Sequence, residues 1–159
     1  MKSLKNEGIK VFHESENDEV TIKENEELNE KIRLNSEKLV FEQLKLKYGE
    51  RVKWLNENGE SGADHDFEVI DIDDSIEYYI ECKGTSTSKK SFLITKNEWR
   101  LFLNQTKNYQ VFFVFDVFGE PKIIKIDNLL DWILKGKIVP YAKNNIKLKA
   151  ERVVLTILD

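Results

Sequence analysis

Two acidic side chains and one lysine near the middle of the chain have the types and the spacing of a site for a divalent metal ion. Glu81 and Lys83 are two residues apart in a run of strand-forming residues, so both side chains point to one face of that strand. Asp66 precedes another such run, and turn-forming residues 73–75 separate the two runs. A two-residue turn at 74–75 would place Asp66 opposite Lys83 and diagonal to Glu81, whereas a three-residue turn would weaken this proximity.

The chemistry that suits these residues is hydrolysis at phosphorus. Mg²⁺ prefers a few carboxylate oxygens together with water and phosphate oxygens, and Asp66 and Glu81 would supply such ligands. The backbone carbonyl of Cys82, between the two side chains of the Glu-x-Lys motif, would add a further ligand. A metal ion held there lowers the pKa of a bound water and neutralises charge on a phosphate, while Lys83 orients the water or holds a phosphate oxygen. The expected cofactor is therefore Mg²⁺ or Mn²⁺.

Glu37 is a candidate fourth member of this site. Val40 and Leu44 follow it at i+3 and i+7, which places Glu37 on the inward stripe of a predicted helix. A carboxylate in that position is costly unless a metal, a water network or a lysine accompanies it. The alternative is an ordinary carboxylate on the helix surface.

Other residues near the motif have more ordinary interpretations. His65 is a neighbour or a substrate contact rather than a ligand, since no second histidine or cysteine lies at metal-binding spacing. Cys82 is predicted to be a small buried hydrophobe facing away from the metal, and Trp99 a core residue. Lys89 and Lys90, in the loop after the motif, would contact phosphates, with a solvated pair of lysines as the alternative.

The elements that must position these residues alternate between helix and strand. A helix is predicted from about Glu24 to Tyr48, with a stop at Gly49. A break at Asn35-Ser36, where Ser36 would cap a second helix over 37–48, is left open. The segment 109–118 is the most apolar and is predicted as the central strand. The remaining predicted elements are strands 52–55, 67–72, 76–82, 92–95, 122–126 and 152–158, and helices 96–105 and 128–134, the last capped by Asp127. This order predicts the α/β class, with a mixed central β-sheet flanked by helices.

Composition narrows the class of protein further. The chain has 159 residues, of which 40% are hydrophobic and 11% aromatic, enough for one domain with a buried core. Its lone cysteine excludes a disulfide framework and a thiolate zinc site. The longest purely apolar run, residues 111–115, is far shorter than a membrane span, and no secretory signal is expected from the polar start. The expected location is the cytoplasm.

Charge is distributed unevenly along the chain. The net charge of −4 argues against a general nucleic-acid binder, but residues 84–159 carry 13 basic and 7 acidic groups. Residues 38–83 carry 6 basic and 12 acidic groups, so a basic half adjoins an acid-rich centre, as around a metal site that meets phosphates. An ordinary solvated surface has the same pattern. Residues 1–23 are predicted to be an acidic flexible arm, and residues 24–159 a single domain.

The motifs together resemble a known superfamily. An acidic residue before one strand, followed after a hairpin by an apolar run that ends in Glu81-Cys82-Lys83, resembles the PD-(D/E)XK nucleases. More narrowly, the sequence Glu81 to Thr85, then Phe92 to Thr95, Asn97-Glu98-Trp99 and the strand from Tyr109 resembles the C-terminal domain of the NO VEIN type. The resemblance covers about residues 36–118. It departs from the family at His65, where proline is common, and at Asn35-Ser36, where a glycine is expected before the glutamate.

This resemblance implies a restriction-endonuclease-like core and a set of roles. Asp66 and Glu81 would bind the metal, Lys83 would be the catalytic lysine, and Glu37 the helix carboxylate of the site. The expected activity is hydrolysis of DNA or RNA, in a module of a larger assembly with ATPase or helicase-like parts, or in a homodimer. The alternatives are a nuclease-fold module that binds nucleic acid or protein without catalysis, and an interaction module built on the acidic arm.

Overall fold

The computed structural model describes residues 17–145 and 150–158, which contain three α-helices and eight β-strands. The helices are α1 (Asn17–Tyr48), α2 (Lys96–Asn104) and α3 (Leu129–Leu134). The strands are β1 (Val52–Trp54), β2 (Phe67–Ile70), β3 (Ile76–Gly84), β4 (Ser91–Thr95), β5 (Tyr109–Phe115), β6 (Lys122–Ile126), β7 (Ile138–Asn145) and β8 (Ala150–Ile157). Within the described ranges, no helix combines the length and apolar character needed to cross a membrane.

The strands form two sheets. The larger has the order β1-β2-β3-β5-β6, and it is mixed because β3 and β5 run parallel while the other neighbours run antiparallel. The smaller is antiparallel, with the order β4-β8-β7. The predicted α/β class with a mixed sheet flanked by helices is confirmed. The second sheet was not predicted, because β7 contains Pro140 and several polar residues, which an edge strand tolerates.

Two hydrophobic cores cover the two faces of the larger sheet. Side chains alternate between faces along a strand, so neighbouring residues of β5 enter different cores. Phe112 packs with Val40 and Leu44 of α1 on one face. Phe113 packs with the second sheet, α2 and α3 on the other face, where Ile94 is fully buried. The sheet is therefore a central layer between α1 and the smaller sheet with its two short helices.

Helix α1 is longer and more continuous than the sequence predicts. It begins at Asn17 rather than Glu24, and it passes through Asn35-Ser36 without a break. The hydroxyl of Ser36 donates to the carbonyl of Ile32 one turn earlier, so this serine bonds within the helix and does not cap a second one. The helix ends before Gly49, whose φ of 62° is the left-handed conformation of a terminating glycine, as predicted. Residues 1–16 of the predicted arm lie outside the described residues.

Two details of the later elements also differ from prediction. Strand β5 ends at Phe115, because the chain turns at Asp116, whose φ is 57°. Strand β5 was predicted to be the central strand, but the middle strand of the larger sheet is β3, and β5 lies next to it in the interior. Helix α3 is capped by Asn128, whose side chain accepts the N–H of Asp131 at 2.9 Å, and the prediction that Asp127 is the cap is wrong.

Candidate active site

A cleft of about 540 Å³ opens where β2 begins and β3 ends. Its walls come from α1, the loop before β2, the last residues of β3, and the first turn of α2. The charged residues that line it are Arg33, Glu37, Glu60, Asp66, Glu81, Lys83 and Glu98. The structure thus brings Asp66, Glu81, Lys83 and Glu37, all predicted from the sequence, into one cleft.

The hairpin that carries the motif has a different register from the predicted one. Phe67 pairs with Ile80, so continuing the ladder by one residue places Asp66 level with Glu81 rather than with Lys83. The cause is a longer turn: β2 stops at Ile70, residues 71–75 form the connection, and the pairing shifts between residues 69 and 70. The two carboxylates are therefore closer neighbours than the predicted register made them.

Glu81 and Lys83 lie on one face of β3, as the alternation predicts. The Nζ of Lys83 is 2.6 Å from Oε1 of Glu81, and both side chains are largely buried. The same Nζ donates to Oε2 of Glu98 at 2.8 Å. Although burial lowers the pKa of Lys83, the charges of Glu81 and Glu98 raise it well above its ordinary value, so this lysine is cationic at neutral pH.

Asp66 is held through both of its carboxylate oxygens. Oδ2 accepts the backbone N–H of Cys82 at 2.8 Å, and Oδ1 accepts the side-chain amide of Asn56 at 2.8 Å. Asn56 is buried, and its own oxygen accepts the N–H and the hydroxyl of Ser61. Burial, followed by the nearby charge of Glu37, raises the pKa of Asp66 to about 6.

The side chain and the backbone of Cys82 point in different directions from β3. The side chain is buried in the core beneath α1, as predicted, and burial raises the pKa of its thiol well above the ordinary value. Its backbone faces the β2 side, because the carbonyl of Ile80 accepts the N–H of Asp66 and the N–H of Cys82 donates to the Asp66 carboxylate. Backbone groups two residues apart in a strand point to the same side. The carbonyl of Cys82 therefore points, like that of Ile80, to the side of β2, just beyond the first residue of that strand.

Glu37 is buried on the inward face of α1, with 1% of its surface exposed, as the helical stripe predicts. Arg33 donates to its Oε1 at 2.7 Å, and the indole N–H of Trp54 donates to its Oε2 at 2.7 Å. An arginine and an indole therefore compensate the burial of this carboxylate. Arg33 also pairs with Glu30, so it is shared between two glutamates of α1.

His65 and the two loop lysines occupy different positions around the cleft. His65 lines the cleft and is nearly buried, with Nδ1 2.9 Å from Asp64 and Nε2 3.1 Å from Glu68. The loop after β3 contributes Thr85 and Ser86 to the cleft lining, whereas Lys89 and Lys90 lie farther along that loop. A phosphate contact from Lys89 or Lys90 stays a prediction.

Three of the residues that build the site were not assigned from the sequence. Glu98 reaches Lys83 from α2, Asn56 holds Asp66, and Trp54 holds Glu37. The sequence leaves a helix cap and a site contact open for Glu98, and the structure shows both, but nothing local shows that Glu98 would face a lysine on another element. Asn56 lies in a turn-rich stretch, where an asparagine is ordinary.

The donor set fits one hard divalent cation. When all four groups are ionised, Asp66, Glu81 and Glu98 together carry two more negative charges than Lys83 neutralises. Burial raises the pKa of Glu81 well above its ordinary value, and the charge of Asp66 raises it further, so the cluster is costly without another cation. Among the described residues, no group of three or more Asp, Glu, His or Cys side chains is placed so that it could hold a metal ion by side chains alone. Two carboxylates and a carbonyl suit Mg²⁺, which takes its remaining ligands from water and substrate.

The fold and the site define an α/β domain with a mixed sheet and an acid-rich cleft around a buried lysine. Residues 36–126, more than half of the chain, match the family described as Protein NO VEIN, C-terminal, and the chain belongs to that family. The matched segment contains Glu37, Asp66, Glu81, Lys83 and Glu98. No curated protein and no solved structure matches the chain.

Proposed function

We propose that this protein is a Mg²⁺-dependent nuclease of the PD-(D/E)XK type, with a restriction-endonuclease-like core, that hydrolyses phosphodiester bonds of DNA or RNA. The observation that carries the proposal is the convergence of Asp66, Glu81 and Lys83 in one cleft at the open end of the β2–β3 hairpin. Membership of the Protein NO VEIN, C-terminal family is consistent with this assignment. Glu81 is buried and Asp66 is partly buried beside a lysine that stays protonated, which is an energetically costly arrangement for a merely structural cluster.

The chain's own residues divide the work as follows. Asp66, Glu81 and the Cys82 carbonyl would hold Mg²⁺ or Mn²⁺, and Asn56 would keep the Asp66 carboxylate in position. When bound, the metal ion would neutralise negative charge on the phosphate. Lys83 would hold a phosphate oxygen or orient the attacking water, since its ammonium is fixed at the cleft and cationic.

The proposed partner is nucleic acid, with DNA preferred, and the basic groups that follow residue 84 would meet its backbone. The proposed phosphate contacts are Lys83 in the cleft and Lys89 and Lys90 in the loop after β3, while Arg33 at the cleft wall is paired with Glu30 and Glu37. The proposal includes a cytoplasmic setting and a larger assembly with ATPase or helicase-like parts, or a homodimer, to grip the substrate.

A second candidate is a non-catalytic module that binds nucleic acid or protein. It is favoured by the acidic character of the cleft, in which Lys83 is neutralised by Glu81 and Glu98, together with the net charge of −4. This candidate predicts salt-dependent binding without turnover, unaffected by removal of the Asp66 charge.

Cleavage assays on single- and double-stranded DNA and RNA with Mg²⁺ or Mn²⁺ distinguish the two candidates. We expect cleavage by the wild type, its loss on chelation, and a loss of at least about 10²-fold in rate for Asp66→Asn and for Lys83→Ala. Asp73→Asn is the matched control, since Asp73 lies in the exposed turn of the same hairpin. A wild type that binds the metal but leaves every substrate intact would contradict the nuclease proposal and favour the module.

A further inference from the structure

The lysine of the site lies between two carboxylates that are held very differently. Lys83 Nζ is 2.6 Å from Glu81 and 2.8 Å from Glu98, and the side chains of both glutamates are at most 14% exposed. Glu81 is in the middle strand beside Asp66, where a divalent cation would bind. Glu98 is in the first turn of α2, outside the proposed ligand set.

The carboxylate of Glu98 is fixed independently of Lys83. Its Oε2 accepts the backbone N–H of Thr95 at 2.9 Å, and its own N–H donates to the Thr95 hydroxyl at 3.3 Å, which together make a capping box. The start of a helix also favours a negative charge. Glu98 is therefore a stationary anion at hydrogen-bond distance from the lysine.

The Glu81 carboxylate, by contrast, would have two competing partners, Lys83 and a divalent cation. Its ion pair with Lys83 uses an oxygen that a divalent cation would need, so the lysine and the metal compete for the same group. If Lys83 had no other partner, binding of the metal would leave a buried ammonium unpaired, which is costly. A second, stationary carboxylate removes that cost.

We propose that Glu98 is a positioning residue, which holds the Lys83 ammonium in place when the Glu81 carboxylate binds a divalent cation. The proposal rests on the metal site of the proposed function. It assigns Glu98 a role in metal affinity that acts through Lys83, in addition to its role in capping α2.

The test is a double-mutant cycle on Mn²⁺ affinity, measured by isothermal titration of the full chain after chelator treatment and desalting. Glu98→Gln removes the charge but keeps the cap, because glutamine also serves at this position of a capping box. Lys83→Met removes the ammonium. Asp131→Asn removes a first-turn carboxylate of α3, whose partner Lys135 is the C-cap residue of that helix, and is the matched control.

We expect Glu98→Gln to weaken Mn²⁺ binding about tenfold in the wild-type background, as for loss of one charge-assisted hydrogen bond. In the Lys83→Met background most of this loss should disappear, because no lysine then competes for Glu81. The control Asp131→Asn should bind as the wild type does. Thr95→Ala should lower Tm by about 2–4 °C without weakening Mn²⁺ binding, because it removes the hydroxyl of the cap but keeps the Glu98 charge.

Two results would overturn the inference while leaving the metal site intact: equal Mn²⁺ affinity of wild type and Glu98→Gln, or an equal loss in both backgrounds. The second would mean that Glu98 acts on the cation directly and not through Lys83. Absence of Mn²⁺ binding by the wild type would overturn the metal site itself and, with it, this inference.

Discussion

The β2–β3 hairpin has acidic residues at both of its ends, and the two ends differ in almost every physical respect. At the turn, Asp71, Asp73 and Asp74 are exposed to solvent. Asp73 accepts the N–H and the hydroxyl of Ser75, which is ordinary turn chemistry. At the open end, Asp66 and Glu81 lie in the cleft with little exposure.

The difference shows in the direction of the pKa shifts. Hydrogen bonds from Ser75 lower the pKa of Asp73, whereas burial raises the pKa of Asp66 to about 6. At an exposed site, hydrogen bonds to the carboxylate lower its pKa. In the cleft, the loss of hydration raises the pKa of Asp66 by more than its two hydrogen bonds lower it. The lesson is that the same residue type is a turn-former at one end and a candidate ligand at the other, and that burial makes the distinction.

The largest stability effect should appear in the pH dependence of the metal-free protein. Because the pKa of Asp66 is about 6 when folded and near 3.8 when unfolded, its contribution to stability is fully present below pH 3.8 and is lost as the pH rises through 6. Asp66→Asn should therefore gain stability relative to wild type between pH 4 and pH 7, by about 3 kcal/mol at most. Urea unfolding in the presence of chelator measures this difference at each pH.

The matched variant at the other end of the hairpin is Asp73→Asn. The pKa of the wild-type Asp73 carboxyl is lowered, so its contribution to stability has the opposite sign and is lost on acidification. Because Asp73 is fully exposed, the change in stability of this variant should be small. If both variants showed the same pH profile, the contrast between the two ends of the hairpin would be wrong.

A smaller effect is expected where β3 meets α1. A methyl group on Gly84 would lie 2.9 Å from Cβ of Ser36 and 3.0 Å from a methyl of Ile32, closer than packed atoms allow. Gly84→Ala should therefore push α1 and its Glu37 away from the cleft and cost about 1–3 kcal/mol of stability. Thermal and urea unfolding measure the loss.

The double variant Gly84→Ala with Ser36→Ala tests the cause of that loss. Removing the Ser36 hydroxyl should recover part of the stability, because this oxygen is the atom nearest to the added methyl. Strictly additive losses would show that the close approach of α1 to β3 is not the reason.

The smallest effect belongs to the turn. Asp74 has a φ of 64°, which glycine adopts without steric cost, so Asp74→Gly should change stability by only about 0.5 kcal/mol, in the stabilising direction. Its Mn²⁺ affinity should equal that of wild type, since the turn lies at the far end of the hairpin from the cleft. A loss of Mn²⁺ binding would mean that the turn sets the register of Asp66.

Much of the site was predictable because it depends on local spacing. The period of a strand places Glu81 and Lys83 on one face, and the period of a helix turns Glu37 inward. The register was not predictable, since the length of the turn at 71–75 and the shift after Val69 depend on how the strands pack. The second sheet was missed for a similar reason: β7 has little apolar pattern and is stable only against β8.

By itself, the sequence determined the residue types, the strand and helix periods, and therefore the α/β class and the trio Asp66, Glu81 and Lys83. Only the tertiary structure decided that Asp66 is level with Glu81, that Asn56 holds it, and that Glu98 shares the lysine. Local periods fix which way a side chain points from its own element. Partners that are 10 or 15 residues away, as for these two contacts, are fixed by packing and burial between elements, which no local pattern contains.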